Sequence, residues 1–554
     1  MQSFRIILFI LIVFHTFSQA QITVTPENPS VGDNVTITYD ATAGNAELTG
    51  VSPVYIHTGV LTTQSQNSSD WFFVKNNWPV NTPDVEMQNM GNNIHQISFQ
   101  IDNYYNLPID VTATDLAMVF RNADGSLVGR STDNGDIFYP IYPDNLNDNY
   151  VSHSMSNNQL IIQSTDHQYT IQAYTDDIFK IAFYESTNTS VDDQSEVVVL
   201  PPGNSGNISD QNGKLIYQTT NKKVIIEKNP ITFKLVRDTD TIIRHSSGFF
   251  KQGDQTSVNF NISPDEAFHG SGMRAIDQNL RNQDLSIYNQ ASYGYDEGAK
   301  NLNFNVPFFV STKPYGIYFE HQYPSDVSFD KIQDQLSYSV EDGSLAYFFI
   351  ASDNVETIME DYGKLTGYQP LPPRWALGYI QSKFGYETET EARNVVNQLK
   401  AENFPIDAIV LDLYWFGQPD EMGNLDWDTS AFPTPVDMVS DFQNDGVQTI
   451  LITEPYITSN STNYTTAISN GDVGVNDQGN AFVINDFWAG TAVLLNLMDT
   501  NTQNWMWNFY KDKINEGVTG WWCDLGEPEN HPSNMTHNGQ TAREVHNYYS
   551  LDWT

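Results

Sequence analysis

Two β-sandwiches followed by a parallel α/β domain is the fold class that the sequence predicts, and three observations carry it. The chain has 554 residues, enough at about 150 per domain for three to four domains, each able to bury its own core. Up to about Gln369 the apolar residues fall in short period-two runs between Gly, Pro, Asn and Asp turns. After Pro370-Leu371-Pro372-Pro373, strand-like runs alternate with helical ones, the grammar of a parallel sheet.

The first twenty residues stand apart from the fold. Arg5, the apolar run from Ile6 to Phe14 and the small residues of Ser18-Gln19-Ala20 make a secretory signal peptide, cut after Ala20. The run is too short to span a bilayer, and no Cys follows the cut to take a lipid anchor. The expectation is a secreted or periplasmic protein with no membrane insertion.

Residues 21–142 read as the first sandwich. Ile22-Thr23-Val24, the run from Asn34 to Tyr39, that from Ile97 to Ile101 and that from Leu116 to Phe120 are its strands, and Asp124-Gly125 is a hairpin signal. The Pro-, Asn- and Asp-rich stretch from Pro140 to Asp148 is a linker. Residues 143–370 are the second sandwich. Its candidate strands are the runs Val197 to Leu200, Lys223 to Ile226, Ile231 to Val236, Phe308 to Val310 and Gly316 to Phe319. In residues 371–554, strands are expected at Trp375 to Gln381, Ile406 to Leu411, Val447 to Thr453 and Val518 to Cys523. Thr388-Glu389-Thr390-Glu391 is a capping box, with Ala392, Val395 and Leu399 on one helical face behind it. Further helices are expected near Pro435 to Asn444, around Trp505, Phe509 and Ile514, and from Ala542.

Charge narrows the partners. Lys and Arg number 26 against 68 Asp and Glu, a formal net charge of −42, so a phosphate backbone or an anionic membrane is a poor partner. Aromatics at 13% are too frequent for an acidic disordered chain. The one cysteine, Cys523, excludes a disulfide framework or thiolate metal cluster and reads as a small buried hydrophobe. His531 and His537 have no ligand spacing, so neither a metal nor a cofactor is expected.

Three of the four strands of the α/β domain end in an acid: Asp412, Glu454 and Asp524. In a parallel barrel the strand C-termini converge on one rim, where active sites sit. Acids gathered there accept hydrogen bonds from sugar hydroxyls, and Trp415, Trp488 and Trp522 nearby can stack on pyranose faces. The alternative for each acid is a solvated strand end or a cap.

These residues resemble a known family. The run Trp521-Trp522-Cys523-Asp524-Leu525-Gly526-Glu527-Pro528-Glu529 resembles the nucleophile signature of glycoside hydrolase family 31. Pro373-Arg374-Trp375-Ala376-Leu377-Gly378-Tyr379 is similar to the start of its barrel, and the run Ile409 to Trp415 to its second-strand motif. Asp426-Trp427-Asp428, Phe432-Pro433, Phe268-His269-Gly270-Ser271-Gly272 and Val306-Pro307-Phe308 follow the same order. The resemblance spans residues 150–554. It implies a retaining, exo-acting enzyme on α-linked glucosides of the starch type. Asp524 matches the catalytic nucleophile, which forms a covalent glycosyl-enzyme. Asp412 matches a position that holds the hydroxyls of the non-reducing glucose. Trp488, Trp415 and Glu454 fall to the substrate pocket, Glu527 to a supporting position beside Asp524, and Glu529 to a solvated loop.

Three departures qualify that match. Four strands are counted after Trp375, whereas a full (β/α)8 TIM barrel needs eight and about 250 residues. The family's acid/base Asp lies on a later strand, and only 30 residues follow Asp524. The chain therefore reads as ending in the first half of the barrel, and these 554 residues alone are expected to be inactive and aggregation-prone. Asn496 stands where the family usually has Asp, and Leu525-Gly526 replaces the commoner Met-Asn, as in oligosaccharide 4-α-glucosyltransferases. Transglucosylase, α-xylosidase and non-catalytic glucan-binding readings stay open beside α-glucosidase. Residues 21–142 lie outside the match. The run Val54 to Gly59, with Trp71 and Trp78, resembles N-terminal modules of secreted bacterial amylases. The two Trp either present a starch-binding surface or fill the sandwich core.

Overall fold

The structure is a computed structural model. It describes residues 21–553 apart from 27–28, 63, 66, 109–110, 112, 133, 142–147, 166, 185–196, 204–205, 212, 253–254, 322, 331–333 and 342–343. The stretch expected to be a signal peptide and most of the expected linker lie outside the described residues. Residues 1–146 with 250–252 form one compact unit, and the rest of the chain a second.

In the first unit, strands Ile22–Thr25, Asn34–Asp40, Ile94–Gln100 and Gln88–Gly91 make one antiparallel sheet. Tyr55–Thr62, Ala113–Arg121, Val128–Gly129 and Ile137–Pro140 make the other. The Asp124-Gly125 turn joins Arg121 to Val128, which face each other across the hairpin. Val35, Ile37, Tyr39, Ile56, Val60, Leu116, Met118 and Phe120 alternate inward to form the core. Ile101 begins a short helix, Ile101–Tyr105, instead of ending the strand.

The second unit opens with two large antiparallel sheets of eight and nine strands. The runs expected at Lys223, Ile231, Phe308 and Gly316 lie within Lys222–Lys228, Ile231–Arg237, Asn305–Ser311 and Gly316–Glu320. Val197 to Leu200 is not a strand. Its backbone bonds to the Leu365 carbonyl, and Val197, Val198 and Leu200 pack beside Tyr174 and Phe348. A helix, Val355–Thr366, closes the sandwich ahead of Gln369, capped by Asn354.

Four parallel strands follow in sheet order: Ile380–Gln381, Ala408–Leu411, Gln448–Thr453 and Gly520–Cys523. The first is much shorter than expected. Pro373 and Gly378 bracket a 3-10 turn at Arg374–Leu377, and Trp375 packs against Ala408, Val410 and Ile450 on one sheet face. On the other face Ile409, Leu411 and Leu451 meet helices Glu389–Ala401, Pro435–Asn444 and Thr500–Asn515. Both faces are therefore apolar, as in a parallel sheet covered on both sides. The Thr388 hydroxyl caps the first helix by accepting from Glu391 N at 3.2 Å. The other half of the expected capping box differs, because the Glu391 carboxylate accepts from Glu387 N, one residue before the cap. An excursion between the third and fourth strands carries the hairpin Tyr456–Thr458 and Ala492–Leu494 and the helix Tyr464–Asn470. Helix Ala542–Trp553 ends the described chain.

Candidate active site

Parallel pairing sets the acids side by side. Thr453 faces Cys523 in register, and Asp524 N donates to the Thr453 carbonyl at 2.9 Å, so Glu454 and Asp524 leave their strands at one level. Leu411 faces Leu451, which puts Asp412 on the same rim. By alternation Asp412, Glu454 and Asp524 share the sheet face of Val410, Ile450 and Gly520. The residues after two of them, Leu413 (φ 33°) and Leu525 (φ 58°), are left-handed although neither is glycine. In each case the backbone N–H at that bend bonds the preceding carboxyl. Strain of this kind persists where surrounding packing over-determines it, and Leu413 and Leu525 are both buried.

Burial raises all three carboxyls. Asp412 is pushed up to about 6 by burial and then by Asp524. Glu454 goes well above its ordinary range, by burial and then by Asp524 and Asp412. Burial also raises Asp524, with Glu527 adding to it and the Leu525 N–H opposing. Among the described residues no cation is one of the groups acting on these three acids. A rim lined by carboxyl acceptors, of which both Glu454 oxygens are unpartnered among the described residues, suits a neutral ligand rich in O–H donors.

The loop after Asp524 bonds to the sandwich. Glu527 accepts from the Asn303 amide, which comes from the sandwich. Burial raises Glu529, with Glu527 and Asp524 adding, against hydrogen bonds from Trp488 and Tyr293. Glu529 is thus bonded, not the solvated loop acid expected from the sequence. Trp488 is half exposed at 50%, and Trp522 is exposed at 39%. Trp415 corrects the sequence reading: its ring is 1% exposed, and Nε1 donates to the Ile452 carbonyl at 3.0 Å. It packs edge-on to Trp427 beneath the rim, where a sugar cannot reach it. Cys523 is half-buried and raised by burial beside Tyr510 and Thr453. Asn496 is not at the rim; its amide donates to Asn538 at 2.9 Å.

Sequence reasoning missed Asn303 and Tyr293, whose only signal is contact across more than 200 residues of chain. It also missed a row of three histidines behind the loop, buried at His537 and His546. The Asn289 carbonyl accepts from His546 Nε2 at 2.6 Å, His546 Nδ1 meets His531 Nδ1 at 3.1 Å, and His531 Nε2 meets His537 Nε2 at 3.0 Å. A carbonyl only accepts, so it fixes every tautomer in turn, and His537 Nδ1 is left as a buried, unpartnered acceptor. No group of three or more His, Cys, Asp and Glu has metal-site geometry among the described residues.

Helix Ala542–Trp553 ties this region to the sandwich. Asn547 bonds Asn289 N at 2.9 Å and the Ile287 carbonyl at 3.1 Å, Tyr323 bonds Glu544 at 3.0 Å, and Arg543 pairs with Glu341. Gly270 and Gly272 lie on strand Phe268–Gly272, which pairs with Asn305–Ser311 just after Asn303. Both have positive φ, and a Cβ at either would strike the backbone of Phe308 or Phe304.

In the first unit neither Trp71 nor Trp78 belongs to the core. Both flank His57 on the outer face of the second sheet, with ring centroids 6.0 and 5.2 Å from it. The Arg121 guanidinium lies 5.5 Å from the Trp78 ring, which is 42% exposed.

A two-sheet sandwich followed by parallel strands that gather acids at one rim defines the class, a multidomain protein with β-sandwich and parallel α/β domains. Residues 369–554 match the glycosyl hydrolases family 31 TIM-barrel domain, and residues 168–330 match the glycosyl hydrolase 31 N-terminal galactose mutarotase-like domain. Through these two domains the chain belongs to glycoside hydrolase family 31. Residues 22–128 match a domain of unknown function. Curated relatives bear the names alpha-glucosidase, alpha-xylosidase and 1,6-alpha-glucosyltransferase. The chain is 24% identical over 401 residues to alpha-glucosidase 2 of Bacillus thermoamyloliquefaciens, covering 69% of this chain and 50% of that protein. It is 25% identical over 412 residues to the 1,6-alpha-glucosyltransferase of Sporosarcina globispora, covering 67% and 30%. A family 31 dextranase of Flavobacterium johnsoniae, complexed with glucose, superposes with a TM-score of 0.69 at 22% identity, covering 74% of this chain and 52% of that one. The chain spans about half or less of the length of the curated relatives it matches. No helix among the described residues is long and apolar enough to cross a membrane.

Proposed function

We propose that this protein is a retaining, exo-acting glycoside hydrolase on α-linked glucosides, with Asp524 as the nucleophile. The observation that carries the reading is Asp524 at a strand end, level with Glu454 and coupled to Asp412, at a rim where no cation acts on them among the described residues. The Asp524 carboxylate attacks the anomeric carbon, the glycosidic C–O bond breaks, and the leaving oxygen takes a proton from a second carboxyl group. Asp412 accepts hydrogen bonds from the hydroxyls of the non-reducing glucose, and Trp488 with Trp522 supplies apolar surface at the mouth. The test is the full gene product assayed on maltose and isomaltose beside Asp524→Gly. The variant should lose activity at least about 10⁴-fold, and added azide should restore turnover of an activated α-glucoside as the β-glycosyl azide. Undiminished activity in the variant, or an α-azide, refutes the assignment.

Transfer to a sugar acceptor is a second reading, favoured by Leu525-Gly526 and by Glu529 held between Trp488 and Tyr293. Product analysis at high maltose separates the two. The outer aromatic face of residues 21–142 supports glucan binding through Trp71 and Trp78. Residues 1–20 support export, which N-terminal sequencing of the protein from culture medium or periplasm tests.

A further inference from the structure

Glu454 occupies an unusual position. Its residue is 2% exposed, and neither carboxyl oxygen has a hydrogen-bond partner among the described residues. Its strand neighbours at the rim are both acids. Asp524 leaves the fourth strand at the same level, Asp412 leaves the second, and the Tyr510 hydroxyl approaches from helix Thr500–Asn515 by way of Thr453. Three anions crowded at one rim, two buried and Asp524 half-buried, with no cation acting on them among the described residues, cannot all persist, because each pays desolvation and repels the others. The proton goes to the most enclosed of the three, which is Glu454. A buried carboxylic acid is then an O–H donor in search of an acceptor. The terminal torsion of Glu is soft, so its O–H can swing to the carboxylate beside it.

We propose that Glu454 is a positioning residue, a neutral carboxylic acid that donates its O–H to the Asp524 carboxylate and is not itself a sugar ligand. The proposal rests on Asp524 being the nucleophile. It explains how Asp524 stays ionised in a pocket that disfavours charge, since a donor to the anion offsets its burial. The same donor fixes which Asp524 oxygen is free to attack. It then holds the carbonyl oxygen of the glycosyl ester and the departing carboxylate when that ester is hydrolysed.

The test uses the full gene product with Glu454→Gln and Glu454→Leu. Gln is neutral and keeps an N–H donor, so its kcat/KM should stay within about tenfold of wild type with the acid limb of the pH profile in place. Leu removes the donor; kcat/KM at neutral pH should fall at least about tenfold, with the acid limb moved to higher pH and KM little changed. An infrared difference spectrum of wild type minus Glu454→Gln at neutral pH should show the C=O band of a protonated carboxyl. Absence of that band overturns the proposal. So does a raised KM in both variants with an unmoved pH profile, which makes Glu454 a substrate ligand. Failure of the wild type to turn over any α-glucoside refutes the proposed function, and the infrared arm then decides the proton's place alone.

Discussion

Acid should unlock the histidine row behind the loop that follows Asp524, and one substitution isolates the effect. His537 is fully buried with Nδ1 unpartnered, and burial pushes its imidazole down to about 4 from the ordinary 6.5. A histidine whose folded value is depressed is neutral in the fold and protonated in the unfolded chain between those two values. Stability is therefore complete above pH 6.5 and is lost as pH falls toward 4. One proton costs about 1.4 kcal/mol per pH unit, so His537 alone removes about 3 kcal/mol across that window. Other buried groups titrate there too, so the readout is a difference. His537→Gln keeps an N–H donor to His531 and cannot be protonated. The assay is amide hydrogen exchange of helix Ala542–Trp553, corrected for intrinsic rates, from pH 7.5 to 4.5. At pH 7.5 the variant should lie within about 1 kcal/mol of wild type. Below pH 6.5 its protection should fall less steeply, by about 1.4 kcal/mol per unit. Parallel curves for the two proteins would refute the tautomer argument.

Four further outcomes are expected. Asn303→Ala leaves the Glu527 carboxylate without its sandwich partner and should lower kcat/KM about tenfold with little change in the thermal midpoint. Gly272→Ala forces a Cβ into the Phe304 carbonyl at positive φ and should cost about 3 kcal/mol in urea titration; a neutral result would mean that the strand relaxes. Trp415→Phe strands the Ile452 carbonyl and should cost about 2 kcal/mol while leaving KM unchanged, whereas a raised KM would return Trp415 to the sugar pocket. Trp78→Ala, with the fold intact by circular dichroism, should abolish retardation on a starch affinity gel.

The legible part of this molecule was the part written in local pattern. Gln448–Thr453 and Gly520–Cys523 are apolar runs that end on Glu454 and Asp524, so strand, direction and rim position follow from adjacent residues. Helix Pro435–Asn444 lies where the sequence placed it, with a proline in its first turn. The run Val197 to Leu200 misled because four apolar residues suit a strand or a buried coil equally, and only its bonds to Leu365 decide. Trp415 misled for a related reason: an indole beside a strand end serves a core or a sugar alike, and the Ile452 carbonyl made the choice. Asn303, Tyr293 and the histidine row have no periodicity at all. They exist as features only once the sandwich meets the loop after the fourth strand.

That meeting also bears on the order in which the protein is made. Ribosomes deliver the sandwich hundreds of residues before helix Ala542–Trp553, and domains that emerge first fold first. The side chain of Tyr323, the Asn289 backbone and the carboxylate of Glu341 are thus waiting when Glu544, Asn547 and Arg543 leave the exit tunnel. The nascent barrel need not find its fourth-strand geometry unaided, because a finished surface catches the helix that follows Asp524. A circular permutant that translates the barrel ahead of the sandwich would keep every contact at equilibrium and lose this scaffold during synthesis. Its deficit would show in soluble yield and not in the melting temperature of the molecules that succeed.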